Sequence, residues 1–176
     1  IMCDAHGTLS VAEAKRFCRE VAECNIGWLE EPVVADDKRG MAEVRASSDV
    51  PISTGESEFT RFAFRDLAEL RACDIFQPDL SICGGITEAM RIEAIASAYQ
   101  LRYAPHLWGG ALTFAAGLCA TFYGRHFTYS ILFSQCFAAS GWPIVRPALL
   151  KMIHNFQRAR LATVERLPEL REVQGA

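Results

Sequence analysis

No apolar run in this chain reaches the roughly 18 residues that a membrane span requires. The apolar stretch around 112–123 is interrupted by Gly117 and stops at Gly124. The chain opens on Ile1-Met2-Cys3-Asp4 without a basic lead, so neither a signal peptide nor a targeting helix is expected. CxxC spacing is absent too, and the 7 cysteines are odd in number. That pattern argues against a disulfide framework or a zinc ribbon and for a reducing, cytoplasmic setting, with each cysteine acting as a small buried apolar residue. Nor do basic residues cluster or interleave with aromatics, so no strand-tracking groove is expected and the partners include neither nucleic acid nor membrane. What remains is a 176-residue chain, 51% hydrophobic and 22% charged, which is enough to bury one sizeable globular core.

The net charge of −3 conceals an asymmetry. Residues 1–119 carry 11 Lys and Arg against 18 Asp and Glu, whereas residues 120–176 carry 7 against 3. The two parts differ enough in character to suggest different histories.

The stretch that organises the chain is Trp28-Leu29-Glu30-Glu31-Pro32, in which an apolar run ends in two carboxylates and a proline. Pro32 lacks an amide donor and disfavours helix before it, so the glutamates belong at the mouth of a strand. Strand mouths are where α/β folds place their chemistry. Around this stretch, strand and helix patterns alternate. Ile1-Met2-Cys3 stops at Asp4, and Ser10-Val11-Ala12-Glu13 has the form of a capping box that starts a helix running to about residue 24. Strands are expected at 26–29, 51–54, 74–77 and 101–104, and helices at 37–47, 61–72 and 87–100, the last preceded by the turn Gly84-Gly85. A further helix at 111–123 and a strand at 127–137 follow, after which the pattern degrades.

The polar residues at the strand ends, Asp4, Glu30, Glu56, Asp79 and His106, succeed one another at steps of 26, 26, 23 and 27 residues. This is a repeat of βα units without sequence repetition, hence a parallel sheet whose strand ends all face one side. In an open doubly wound sheet these ends would form a row; a closed (β/α) barrel converges them on one point. The expected fold is therefore α/β, a partial (β/α) barrel of the TIM type.

Asp4, Glu30 and Glu56 make an oxygen-only ligand set, which suits Mg²⁺ better than zinc. Asp79 and His106, on the next two strands, can form a dyad in which the carboxylate fixes the imidazole tautomer. His6, two residues beyond Asp4 on an extended strand, would point to the same side as a second acid or base. A cation beside a base suits removal of a proton next to a carboxylate. Glu31 and Glu58 are supporting groups or ion-pair partners. Each carboxylate taken singly also fits a solvated strand end or a helix cap; the regular spacing favours the joint reading.

Asp4-Ala5-His6-Gly7, Trp28-Leu29-Glu30-Glu31-Pro32, Thr54-Gly55-Glu56, Gln77-Pro78-Asp79 with Gly84-Gly85-Ile86-Thr87-Glu88, and Pro105-His106-Leu107-Trp108-Gly109 together resemble the barrel domain of the enolase superfamily. Within it they are most similar to the mandelate racemase and muconate lactonizing enzyme family, in order and spacing, from residue 1 to about 118. The resemblance implies Mg²⁺ held by Asp4, Glu30 and Glu56, with Asp79 and His106 as the base dyad. The Asp-x-His of the first strand is similar to the galactonate dehydratase type, in which the histidine, here His6, assists departure of a β-hydroxyl. The implied activity is that of an acid-sugar dehydratase, with a small sugar acid as substrate and a homo-oligomeric intact enzyme.

Features of the family are missing as well: a capping domain, two earlier barrel strands with a Lys-x-Lys, and an acidic residue on the last strand, for which 127–136 offers none. The expectation is accordingly a fragment. Residues 1–118 form a barrel segment, and 119–176 form a divergent or frameshifted tail that completes or flanks it, with no appreciable turnover as the chain stands. The alternatives are a racemase, epimerase or cycloisomerase of the same family, or a non-catalytic remnant.

Overall fold

The computed structural model describes residues 1–110 together with Thr113, Ala116 and Gly117. The expected helix at 111–123, the strand at 127–137, the tail 119–176, and His126 and His154 lie outside the described residues, the three named positions apart. Among the described residues five strands form one sheet: β1 (Cys3–Asp4), β2 (Leu29–Glu30), β3 (Ile52–Thr54), β4 (Ile75–Phe76) and β5 (Arg102–Tyr103). They lie in the order β1-β2-β3-β4-β5, every neighbouring pair parallel. The crossovers carry α1 (Val11–Glu20), α2 (Lys38–Ala46), α3 (Thr60–Glu69) and α4 (Gly85–Ala98). This is the expected α/β architecture with parallel strands.

Each helix has a local reason to begin and a face to bury. Ser10 caps α1 as expected: its Oγ accepts the Glu13 amide at 3.3 Å, and Glu13 Oε2 accepts the Ser10 amide at 2.9 Å. Asp37 does the same for α2, accepting the Gly40 amide at 2.8 Å. The buried residues recur at three and four: Ala14 and Cys18 on α1, Gly40, Met41 and Val44 on α2, Phe64, Leu67 and Ala68 on α3, Ala89, Ile92 and Ala96 on α4. They pack with Ile52, Phe76 and Tyr103 from the sheet into one core between the helices and the outer sheet face. On the other face Trp28, Ile75 and Ala104 form a smaller cluster, as strand alternation requires.

The structure corrects several boundaries. The strands are two or three residues long, because the apolar residues flanking them, such as Ile26 and Val50, are buried in connecting segments. The first helix ends at Glu20, and Ala22–Cys24 tightens into a 3₁₀ turn that closes on Asn25 in a left-handed conformation. Leu70, which the periodicity assigns to the buried side of α3, caps that helix and is exposed.

Beyond β1 the chain stays tied to the next unit. The amides of Ala5, Gly7 and Leu9 donate to the carbonyls of Glu30, Glu31 and Pro32, and Thr8 and Val33 form an antiparallel bridge. Two mouth loops are thereby held together. Gly55 fixes a third: its φ is +127°, and a Cβ there would lie 2.6 Å from the Phe64 ring. No other residue fits between β3 and Glu56 without displacing the aromatic.

Candidate active site

The parallel register sets the first row of the site. Asp4 pairs with Glu30 and Glu30 with Ser53, so the carboxylates that end β1 and β2 stand side by side on one sheet face. Glu56 follows β3 by two residues, aimed by the Gly55 turn. Asp79 and His106 lie beyond β4 and β5 and form a parallel bridge of their own. All five expected strand-end residues therefore occupy the same end of the sheet.

Their contacts converge on Glu56. Its Oε1 lies 3.3 Å from His6 Nδ1, and its Oε2 lies 3.2 Å from His106 Nε2. On the far side of the imidazole, His106 Nδ1 lies 2.8 Å from Asp79 Oδ2. A carboxylate can only accept, so Nδ1 carries its proton toward Asp79 and the neutral ring turns a lone pair toward Glu56. Two acceptors 3.2 Å apart require a proton or a cation between them. Asp79 is completely buried, and its other oxygen, Oδ1, accepts the Ser81 amide at 2.7 Å and the Ser81 hydroxyl.

Electrostatics separates these carboxylates. For Glu56, burial is the largest influence and raises its pKa; His106 works against it, and the charges of Glu30 and Asp4 push it further up. Burial also raises Glu31, reinforced by the Glu56 charge. For Asp79 burial pushes upward as well, but hydrogen bonds from Ser81 and His106 outweigh it and leave the carboxyl below its ordinary range. Glu56 thus sits beside the negative charges of Glu30 and Asp4, offset in part by His106 and His6.

That is the environment a divalent cation relieves. Ligand atoms of Glu30, Glu56 and His106 lie within 4.8 Å of one another, so these side chains can hold a metal ion. Asp4 falls outside this group; its Oδ1 accepts the His6 amide at 2.8 Å, and it acts on Glu56 through its charge. The geometric trio and the carboxylate trio expected from sequence thus share Glu30 and Glu56 and differ in the third member. A hard cation favours oxygen, so Glu30 and Glu56 are the members of this group whose donor atoms suit Mg²⁺.

His6 reaches the site by a different route from the one expected. The chain is not extended there: His6 has φ of +47° and Gly7 +69°, so a left-handed turn brings the ring beside Glu56. Its side chain remains 76% exposed. Glu31, also left-handed at φ +36°, is folded inward by the same mouth geometry and accepts the Thr54 hydroxyl at 3.1 Å. Glu58 pairs with Lys38 at 2.7 Å, tying the loop that carries Glu56 to the start of α2. Trp28 Nε1 donates to Glu30 Oε2 at 3.3 Å. The Trp28, Ser81 and Lys38 contacts have no signature in sequence spacing; the Trp28-x-Glu30 alternation alone hinted at a shared face.

A cleft of ≈ 720 Å³ opens elsewhere, lined by Arg45, Asp49, Arg71, Asp74 and Arg102 among others. These residues lie at the opposite end of the strands, away from the carboxylates and histidines. No helix among the described residues is long and apolar enough to cross a membrane.

Parallel βα units with carboxylates and a carboxylate-anchored histidine at one mouth define a barrel-type α/β domain. The chain belongs to the enolase C-terminal domain-like family, whose model matches residues 1–152. It is 40% identical over 119 residues to a D-galactonate dehydratase of Ralstonia pickettii, covering 68% of this chain and 31% of that protein. It is 42% identical over 108 residues to an L-rhamnonate dehydratase of Saccharopolyspora erythraea, covering 60% and 28%. Its fold matches the 3,6-anhydro-D-galactonate cycloisomerase of Zobellia galactanivorans with a TM-score of 0.65 and 34% identity, over 68% of this chain and 34% of that one. The chain thus spans about a third of the length of the curated relatives it matches.

Proposed function

We propose that these strand ends are the catalytic half of a Mg²⁺-dependent acid-sugar dehydratase. The observation that carries the reading is His106, anchored on Asp79 through Nδ1 and facing Glu56 through Nε2 at 3.2 Å. In this reading Asp4, Glu30 and Glu56 hold the cation, which when bound supplies positive charge to the substrate carboxylate. Asp79 keeps the His106 lone pair on Nε2, where it removes the proton α to that carboxylate. His6, exposed at the edge of the site, gives a proton to the β-hydroxyl as its C–O bond breaks, so that water leaves and a 2-keto-3-deoxy acid results. The relatives named for galactonate and rhamnonate support a sugar acid as the substrate class.

Because the chain spans about a third of its relatives' length and no appreciable turnover is expected of it alone, the test joins the remaining segments of an intact relative to it and follows the joined protein with Mg²⁺ and a panel of aldonic acids in deuterated water by NMR. A 2-keto-3-deoxy product should form with deuterium at C3, where the enol takes its new proton from solvent as C2 becomes the carbonyl, and it should vanish with EDTA and in His106→Asn. Exchange without that product would transfer the reading to an epimerase or cycloisomerase. Absence of both product and exchange with every acid would overturn the catalytic assignment.

A further inference from the structure

Seven polar or charged side chains are buried among the described residues, and five of them have partners. Glu31 and Thr54 bind each other, Glu58 binds Lys38, Asp79 binds Ser81 and His106, and Glu88 binds Arg61 and Arg91. Ser53 Oγ and Gln77 Oε1 are buried with no hydrogen-bond partner. Such atoms rarely stay unsatisfied; a buried water with two or more polar contacts is the usual remedy.

Their position says what kind of water. Ser53 is the register partner of Glu30, which is the register partner of Asp4, so the Ser53 hydroxyl continues the carboxylate row on the same sheet face. Ile75 pairs with Ser53, and Gln77 stands two residues further toward the mouth. Phe76, between them, packs into the outer core, whereas Ile75 belongs to the inner cluster with Trp28 and Ala104. Strand alternation therefore puts Gln77 on the inner face, diagonal to Ser53 and two residues short of Asp79. The two unsatisfied oxygens thus belong to side chains diagonal to each other on the sheet face that carries Asp4 and Glu30.

A water bound to a cation has its lone pair committed and two protons left to donate. Mg²⁺ keeps several such waters because it dehydrates reluctantly. We infer that Ser53 Oγ and Gln77 Oε1 accept the two protons of one buried water in the shell of the cation held by the adjacent carboxylates. The inference rests on the metal reading proposed above. A substrate hydroxyl is the poorer occupant, since Ser53 is 0% and Gln77 1% exposed.

The experiment is titration calorimetry of the 176-residue chain with Mg²⁺, alongside thermal melts in EDTA. Ser53→Ala and Gln77→Leu should each weaken Mg²⁺ binding about five- to tenfold, as loss of a supporting partner does at metal sites. Their melting temperatures without metal should be unchanged or higher, because an unsatisfied buried oxygen has been removed. With Mn²⁺ in ¹⁷O-enriched water, the broadening of the electron paramagnetic resonance signal should fall by one bound water in the double variant. Wild-type affinity in Ser53→Ala would overturn the water site and leave the metal reading standing. If the wild type itself binds no Mg²⁺, both fall. Should Gln77→Leu fail to fold by circular dichroism, Ser53→Ala decides alone.

Discussion

The two ends of the sheet treat the same side-chain chemistry in opposite ways. At the amino-terminal end, Asp74 precedes β4 and every oxygen is matched: Oδ1 accepts from Arg45 Nε at 2.9 Å and Nη2 at 2.8 Å, and Oδ2 accepts the Ile52 amide at 2.9 Å. At the carboxyl-terminal end, Glu56 faces Glu30 and Asp4, with two imidazoles in reach among the described residues. One end spends its carboxylate on holding α2, β3 and β4 together; the other keeps its carboxylates in mutual repulsion. In a barrel-type fold that division separates stability from chemistry, and it can be broken residue by residue.

The largest effect is expected from Glu56→Gln, which removes a ligand and a repelled charge at once. Mg²⁺ affinity should fall at least ~100-fold, while the metal-free melting temperature rises. The sign follows from the raised folded pKa: ionised Glu56 opposes folding, so stability falls as pH climbs from the ordinary carboxylate value through the raised one. Calorimetry and melts in EDTA check both halves, and a metal-free melting temperature below wild type would erase the contrast between the two ends.

Asp74→Asn should do the reverse. Arg45 and Asp74 are each about a third exposed, so loss of the ion pair is discounted for solvent; together with the weakened Ile52 contact it should cost about 2 kcal/mol. Mg²⁺ affinity should stay within about twofold of wild type. Urea midpoints and calorimetry on the same preparation check it.

Asp79→Asn gives the smallest effect on stability and sharpens the comparison, because Asp79 is a mouth residue with the saturated contacts of the other end. Its folded pKa lies below the ordinary value, so the unfolded chain takes up the proton first as pH falls. Its contribution is complete above the unfolded pKa and is lost as pH drops through the folded one. The acid-side loss, as pH falls from the ordinary aspartate value through the lowered one, should be shallower in the variant. Urea titrations across that range, with an identical slope in variant and wild type, would refute this.

The mouth residues were legible in the sequence because each is a polar residue that abruptly ends an apolar run, and because parallel βα units repeat at nearly constant length. Helix starts were legible wherever a side chain caps locally, as Ser10 does for α1. Strand ends were less so, since Ile26 and Val50 are apolar for reasons of burial in loops rather than pairing. The expected extended path to His6 failed because Gly7, with φ of +69°, permits a turn that hydrophobic periodicity does not register. Lys38 as the partner of Glu58 had no local sign at all: the two meet only after separate units have stacked, 20 residues apart.

The strand order β1-β2-β3-β4-β5 also bears on how the chain reaches this state. Every strand pairs with the one made just before it, so no described strand has to wait for a later segment to be inserted between itself and its neighbour. Loop closures stay short and nearly equal, which keeps the entropic cost of each addition similar. On a ribosome adding about 5–20 residues per second, each βα unit would find a templating edge already in place within a few seconds of its synthesis. Assembly can then proceed as growth at one moving edge, in the direction of translation.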